Sequence, residues 1–405
     1  NQGLTDTASN KIKIETTCEG QAMATKAYDY SGLGETWSTP RIFRIPNKTG
    51  DSNILTDRYV AVMGGGMGSG TKCVGSGVFI VDLEGGAEVD PDNVELDHRA
   101  GSLYGYSETE NNGFLRILDT DENGYKMGIS GTFTNASPIT NSVPSSPVVI
   151  TANNALSADW RGALVYVNDL EGKITKINLT ENFSLNSDGI ISNVASTTLF
   201  NSQSTSDNGR YIYNSPELTI NNDSNLWLYF GTGNTQKLHE QSNKIKNRLY
   251  GIKDKDFPNY RNISTPGDIS ICKTTPNCPG ESDLGWYIDL KNSQKLTAEP
   301  TIDKDRAYFP IYEPTTGSNS CKTGKAILQA YDSKCGNSVL NVNLGSGVLS
   351  KVVKQGDNLY IGIAGEVDKN IGNSGFTSKD NLITGKSKAK DTGNEVQIEK
   401  WIQNY

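Results

Sequence analysis

The chain of 405 residues has only 2 histidines, no basic cluster and a net charge of −8. A nucleic-acid binder gathers Lys and Arg on one face to neutralise phosphates, so the charge pattern argues against that partner class. No apolar run approaches the roughly 18 to 20 residues that a membrane-crossing helix needs. The longest, such as Leu226-Trp-Leu-Tyr-Phe230, are strand-sized. The sequence has no G-x-S-x-G, no H-E-x-x-H and no lone Cys with a plausible His partner, so hydrolytic chemistry finds no motif. His98 and His239 read as surface or turn residues. No C-x-x-C pair, no C-x-x-C-H and no adjacent cysteines occur, which argues against metal clusters, haem attachment and a pyrroloquinoline enzyme. The chain opens at Asn1 without Met or an apolar leader, so it is expected to be a processed piece of something longer.

What is present points to turns and short strands. Gly is 42 of 405 residues, and apolar residues are 35%, low but enough for a core at this length. Six cysteines, Cys18, Cys73, Cys272, Cys278, Cys321 and Cys335, suggest three disulfides formed in an oxidising compartment. Local pairing would join Cys272 to Cys278 and Cys321 to Cys335, leaving Cys18 for Cys73; six cysteines allow fifteen connectivities.

One stretch sets the architecture. Ala163-Leu-Val-Tyr-Val167 breaks at Asn168-Asp-Leu-Glu-Gly172 and resumes as Ile174-Thr-Lys-Ile-Asn-Leu179. That reads as a β-hairpin with Asp and Gly at its turn; Ile177 and Leu179 alternate as a half-buried strand should, and Ile174 is one residue out of phase. Similar hairpins recur at Tyr59–Gly85, Phe114–Gly124, Leu226–Asp254, Arg306–Asp332 and Asn358–Gly365. Upstream of several sits a second phrase, a pair of small or polar residues followed by Pro: Ser38-Thr39-Pro40, Ser145-Ser146-Pro147, Asn214-Ser215-Pro216 and Ala298-Glu299-Pro300. Pro cannot donate to a sheet ladder, so it marks the place where a strand begins. A recurring unit of three or four short antiparallel strands is the signature of a propeller blade. The expected class is all-β, a β-propeller with surface insertions; a β-sandwich or β-helix is the alternative.

Several of these phrases, in order along the chain, resemble the C-terminal propeller of the PilY/PilC family, the tip-associated adhesins of type IV pili. They are Leu33-Gly-Glu-Thr-Trp-Ser-Thr-Pro40, Ser145-Ser-Pro-Val-Val149, Val165–Gly172, Tyr229-Phe-Gly-Thr-Gly233, Leu249-Tyr-Gly-Ile252 and Gly285-Trp-Tyr-Ile-Asp-Leu290. The likeness spans about residues 33 to 365. It implies a quinoprotein-like propeller over 33–405 behind an extension at 1–32, with the family's early blades missing. It also implies a non-enzymatic protein at the pilus tip or cell surface, exported through the periplasm, with pilins and a host or abiotic surface as partners. The alternatives are a periplasmic quinoprotein-like enzyme and a carbohydrate-binding propeller, for which Trp160, Trp227 and Tyr260 are the candidate stacking residues.

The resemblance further implies a calcium loop, patterned D-x-[DN]-x-D-G-x-x-D, just before the hairpin at 163. The matching residues are Thr151, Asn153 and Asp159, with Ala155 and Leu156 where Asp and Gly are expected. Ca²⁺ takes six to eight oxygen ligands, and a loop with one carboxylate is degenerate. No other cofactor is expected. Asp119–Gly124 copies half an EF-hand loop but has Ser130 where the bidentate Glu belongs, so it reads as a turn, as does the acidic stretch Asp90–Asp97. Gly64–Gly70 follows a strand without opening a helix, which does not suit a phosphate cradle.

Overall fold

A computed structural model describes residues 30, 33–48, 55–67, 75, 77–84, 115–116, 142–151, 162–180, 195–205, 207–220, 225–255, 257, 272–273, 284–315, 323–390 and 396–397. Two compact units divide the chain: Asn1–Asn201 with Asn259–Gly267, and Ser202–Pro258 with Asp268–Tyr405.

In the first unit, β1 (Arg41–Lys48), β2 (Leu55–Gly64), β3 (Gly77–Asp82) and β4 (Leu115–Arg116) form a 4-stranded antiparallel sheet in sequence order. A second 4-stranded sheet follows with β5 (Val148–Thr151), β6 (Gly162–Asn168), β7 (Lys173–Thr180) and β8 (Ala195–Asn201). Phe43, Ile45, Val60 and Val62 of the first share one core with Val165, Val167 and Ile177 of the second. Each such side chain contributes about 1.5–3 kcal/mol on burial.

The hairpin read from the sequence is β6–β7. Its turn is closed by the Asp169 carboxylate accepting from Lys173 N–H at 3.0 Å, with Gly172 at φ 77°, where a Cβ is disfavoured. One expectation fails: the strands are not half-buried. From Ala163 to Asn168 and from Ile174 to Thr180 every residue is buried, Lys176 and Asn178 included, because both faces of this sheet are covered. Ile174 escapes its phase problem through an irregularity in the pairing with β8 between Ile174 and Thr175, since a bulge re-aims the side chain it displaces.

In the second unit, β9 (Glu217–Ile220), β10 (Leu226–Gly231), β11 (Arg248–Asp254) and β13 (Gly285–Asp289) make the next meander, with β12 (Cys272–Lys273) added in parallel at its outer edge. Then β14 (Lys295–Leu296), β15 (Thr301–Asp303), β16 (Arg306–Glu313), β17 (Lys325–Asp332) and β18 (Ser338–Leu349) form another. β19 (Val353–Gln355), β20 (Asn358–Val367), β21 (Phe376–Lys379) and β22 (Leu382–Lys386) form a last one, joined to the former because the far half of β18 pairs with β20. β23 (Val396–Gln397) pairs with β9.

Four antiparallel strands hydrogen-bonded in sequence order are the blade of a β-propeller, and the chain is all-β of that class. Pro40, Pro147 and Pro216 each stand directly before the first strand of a blade, β1, β5 and β9, and Pro300 directly before β15, which with β14 flanks β16. Gly64, Gly65 and Gly66 serve close backbone approach: a Cβ on Gly66, at φ 88°, would lie 2.4 Å from the Glu35 carbonyl oxygen. In the second unit Trp286 is fully buried against Tyr229, Phe309 and Tyr331. Its indole N–H donates to the Ser333 carbonyl at 2.9 Å, and the Tyr229 hydroxyl donates to the same oxygen at 3.0 Å.

Candidate functional site

Loops at one end of the β9–β13 blade converge on a cleft of about 90 Å³. They are the segment entering β9, the β10–β11 connection and the run from β13 to β14. Asn247, buried at the floor, sets the backbone: its side-chain amide donates to the Gln294 carbonyl at 2.8 Å and its side-chain oxygen accepts from Thr232 at 3.2 Å. Gly233, at φ 155°, passes so close to β14 that a Cβ there would meet the Lys295 Cβ at 2.6 Å. Asn234 caps the turn of 3₁₀ helix at Thr235–Lys237, its side-chain oxygen accepting from the N–H groups of Gln236 and Lys237.

Lys295 lies under the cleft wall, 1% exposed. Its ammonium donates to the carbonyls of Glu240 (2.7 Å), Leu238 (3.2 Å) and Ser293 (3.3 Å), which ties the β10–β11 loop to β14. Burial pushes its pKa down to about 8, partly offset by the nearby Glu240 carboxylate. At the mouth, Lys244 and Asp207 pair at 3.1 Å and stay exposed. Tyr211 lines one wall with its ring 6.4 Å from that of Tyr213. Burial raises its pKa, and the Glu240 and Asp207 carboxylates add to the rise. All of these groups sit within the second unit.

The proline-led phrases form a second polar feature. In the second unit, Lys351 reaches Glu217 at 2.9 Å and Glu299 at 3.3 Å, so three successive blade starts meet in one ionic cluster. Thr301 adds a hydrogen bond to the Val352 carbonyl at 2.7 Å. In the first unit, Thr39 N–H donates to the Ser146 hydroxyl (2.8 Å) and Arg41 to the Pro147 carbonyl (3.2 Å). Just upstream, Trp37 is 67% exposed although its neighbours are fixed: Thr36 donates to the Gly64 carbonyl at 3.0 Å, and Ser38 accepts from Gly64 N–H at 2.9 Å.

Of the residues singled out in the sequence, Thr151 closes β5 and is half-buried, while Asn153 and Asp159 lie outside the described residues. So do Asp90–Asp97, Asp119–Gly124, His98, Trp160 and Tyr260, and Cys18, Cys73, Cys278 and Cys321. Cys335 is disulfide-bonded and buried. Cys272 is in β12, its side chain outside the description. Among the described residues no group of three or more His, Cys, Asp and Glu is placed to hold a metal ion. His239 is exposed. Trp227 is corrected: it is 2% exposed, stacked on Tyr229 at 6.1 Å, and is core rather than a surface platform. Both faces of β10 are covered, so its position in a strand decided its burial. Tyr211, Asn234 and Glu240 were not singled out; they lie in polar loops whose only signal is turn chemistry.

No protein-family model and no curated protein matches the chain. Solved structures similar to it include BamB from Moraxella catarrhalis, at 10% identity with a TM-score of 0.27, over 82% of this chain and 81% of that one. The subtype N11 neuraminidase-like protein of A/flat-faced bat/Peru/033/2010 (H18N11) is 12% identical with a TM-score of 0.25, over 89% and 98%. The PQQ-bound aldose sugar dehydrogenase of Streptomyces coelicolor is 9% identical with a TM-score of 0.22, over 85% and 97%.

Proposed function

We propose that the chain is a non-enzymatic binding protein of the cell surface or type IV pilus tip, with pilins and a surface ligand as its partners. The observation that carries this reading is Trp37. It belongs to the Leu33–Pro40 phrase on which the resemblance to the pilus-tip adhesins begins, and it holds its indole 67% exposed on a backbone anchored at both neighbours. A solvent-facing Trp on an anchored backbone is costly to leave uncovered and has few rotatable bonds to fix on binding, which is why Trp dominates interface hot spots. Position in the phrase and exposure support a partner-binding role together; neither would do so alone.

The ionisable groups of the two polar features fit this reading, since they are engaged in holding loops and blades. Lys295 is spent on three carbonyls, and Lys351 on two carboxylates. The test is Trp37→Ala in the full chain. Exposed as it is, the side chain contributes little to folding, so the melting temperature should stay within a degree or two while association with purified pilins weakens at least tenfold, as loss of a hot spot of about 2 kcal/mol requires. Unchanged association would remove the observation on which the reading stands.

A further inference from the structure

Three residues that line the cleft of the β9–β13 blade, the exposed Glu240 and the half-buried Tyr211 and Asn234, carry a group without a hydrogen-bond or ion-pair partner among the described residues: the carboxylate, the hydroxyl and the side-chain NH₂. The other polar groups there are engaged. Lys295 has its three carbonyls, Lys244 has Asp207, and Asn247 uses both ends of its amide. The free set is one strong acceptor, one donor pair and one group that does both. It stands on backbone fixed by Asn247, Gly233 and the cap at Asn234.

That inventory discriminates among ligand classes. A phosphate or other anion would meet the open Glu240 carboxylate, while both ammonium groups are committed elsewhere. A cation would find one unpaired carboxylate, because Asp207 is held by Lys244, too few ligands for Ca²⁺. A pair of neighbouring hydroxyls matches it group for group, because each hydroxyl donates once and accepts twice. Two O–H donors can go to the carboxylate, Asn234 can donate to an oxygen, and the half-buried Tyr211 ring walls the apolar edge of the sugar carbons. Size sets how much enters. About 90 Å³ holds roughly three waters at about 30 Å³ each, which suits the diol edge of a pyranose with the rest of the ring in solvent.

We infer that this cleft is a saccharide-binding site that takes a vicinal diol, with Glu240 as acceptor, Asn234 as donor and Tyr211 as wall. The inference rests on the surface-binding reading and supplies its ligand class. A site built to hydrogen-bond a substrate hydroxyl rejects analogues that lack it, because its own polar groups are then left unpaired.

The full chain is titrated with methyl α-D-mannopyranoside, methyl β-D-galactopyranoside and methyl α-L-fucopyranoside, followed by saturation-transfer NMR, with inorganic phosphate and free lysine as charged probes. At least one glycoside should bind, and neither charged probe should. Glu240→Gln keeps the shape and removes the charge. Asn234→Asp keeps the capping oxygen and removes the donor, so both variants retain the fold. Glu240→Gln should weaken glycoside binding about tenfold or more, the range for a hydrogen bond to a charged group, and Asn234→Asp about two- to tenfold, the range for a neutral one. The proposal is overturned if no glycoside binds, if the variants bind as the parent does, or if phosphate or lysine binds in their place. Pilin association measured on the same variants separates the two readings: lost glycoside binding with pilins still held leaves the cleft assigned, and absent pilin association in the parent chain counts against the surface-protein reading alone.

Discussion

The Lys351 ammonium lies 2.9 Å from the Glu217 carboxylate, although 134 residues separate them. Both stand at blade starts, and Glu299, next to Pro300, joins them at 3.3 Å. Burial alone would lower the lysine's pKa, but the two carboxylates outweigh it and hold it above its ordinary value. A raised folded-state pKa stabilises fully below the unfolded value and is lost as pH climbs through the folded one. Lys351→Met leaves two carboxylates facing each other and should cost about 1–3 kcal/mol near neutral pH. Urea midpoints measured from pH 7 to 11 should show the parent's advantage shrinking only at the alkaline end. An equal advantage at every pH would contradict the ion-pair account.

Lys295 should behave in the opposite sense. Its pKa is lowered by burial to about 8, so between that value and the ordinary lysine range the unfolded chain binds more protons than the folded one. Stability contributed by this group therefore rises with pH across that window. Lys295→Met removes this rise and frees three carbonyls, loosening the β10–β11 loop. Faster amide exchange at 238–242 would confirm the second effect; unchanged exchange would count against it.

Gly251 lies beneath Trp286, where a Cβ would come 2.5 Å from Cε2 of the indole. Gly251→Ala forces the ring off its Ser333 hydrogen bond and should destabilise by about 1–3 kcal/mol, the range for overpacking. Thermal unfolding checks it. A melting temperature equal to the parent's would mean that the blade core can yield.

For the disulfide at Cys335, in the β17–β18 connection, the partner expected from local pairing is Cys321, in the insertion between β16 and β17. Closing a loop of about 15 residues stabilises by roughly 3 kcal/mol in the chain-entropy model. Non-reducing peptide mapping should find that linked pair, and a different partner for Cys335 would revise the connectivity.

The sequence made some of this architecture legible and hid the rest for identifiable reasons. An apolar run, the Ile177–Leu179 alternation and a turn with Asp and Gly marked β6 and β7, and Pro before a short strand-like stretch marked four strand starts, because strand pairing and proline geometry act locally. Burial was misjudged where stacking covers both faces of a sheet: Lys176 and Trp227 are inside. Alternation says only which residues share a face, not whether that face is covered. The cleft was invisible for a stronger reason. Tyr211, Asn234 and Glu240 meet through the closing of one blade's loops around Asn247, and Lys295 sits in the polar run Ser293-Gln-Lys295 that reads as surface.

The central claim is that the chain works by binding at the cell surface, and purification of the native assembly tests it most directly. Isolated under mild conditions from the cells that make it, the protein should carry pilins in fixed proportion, resolved by mass spectrometry. A preparation free of pilins, or one with the visible absorbance of a bound redox cofactor and turnover of a sugar or alcohol, would contradict the account.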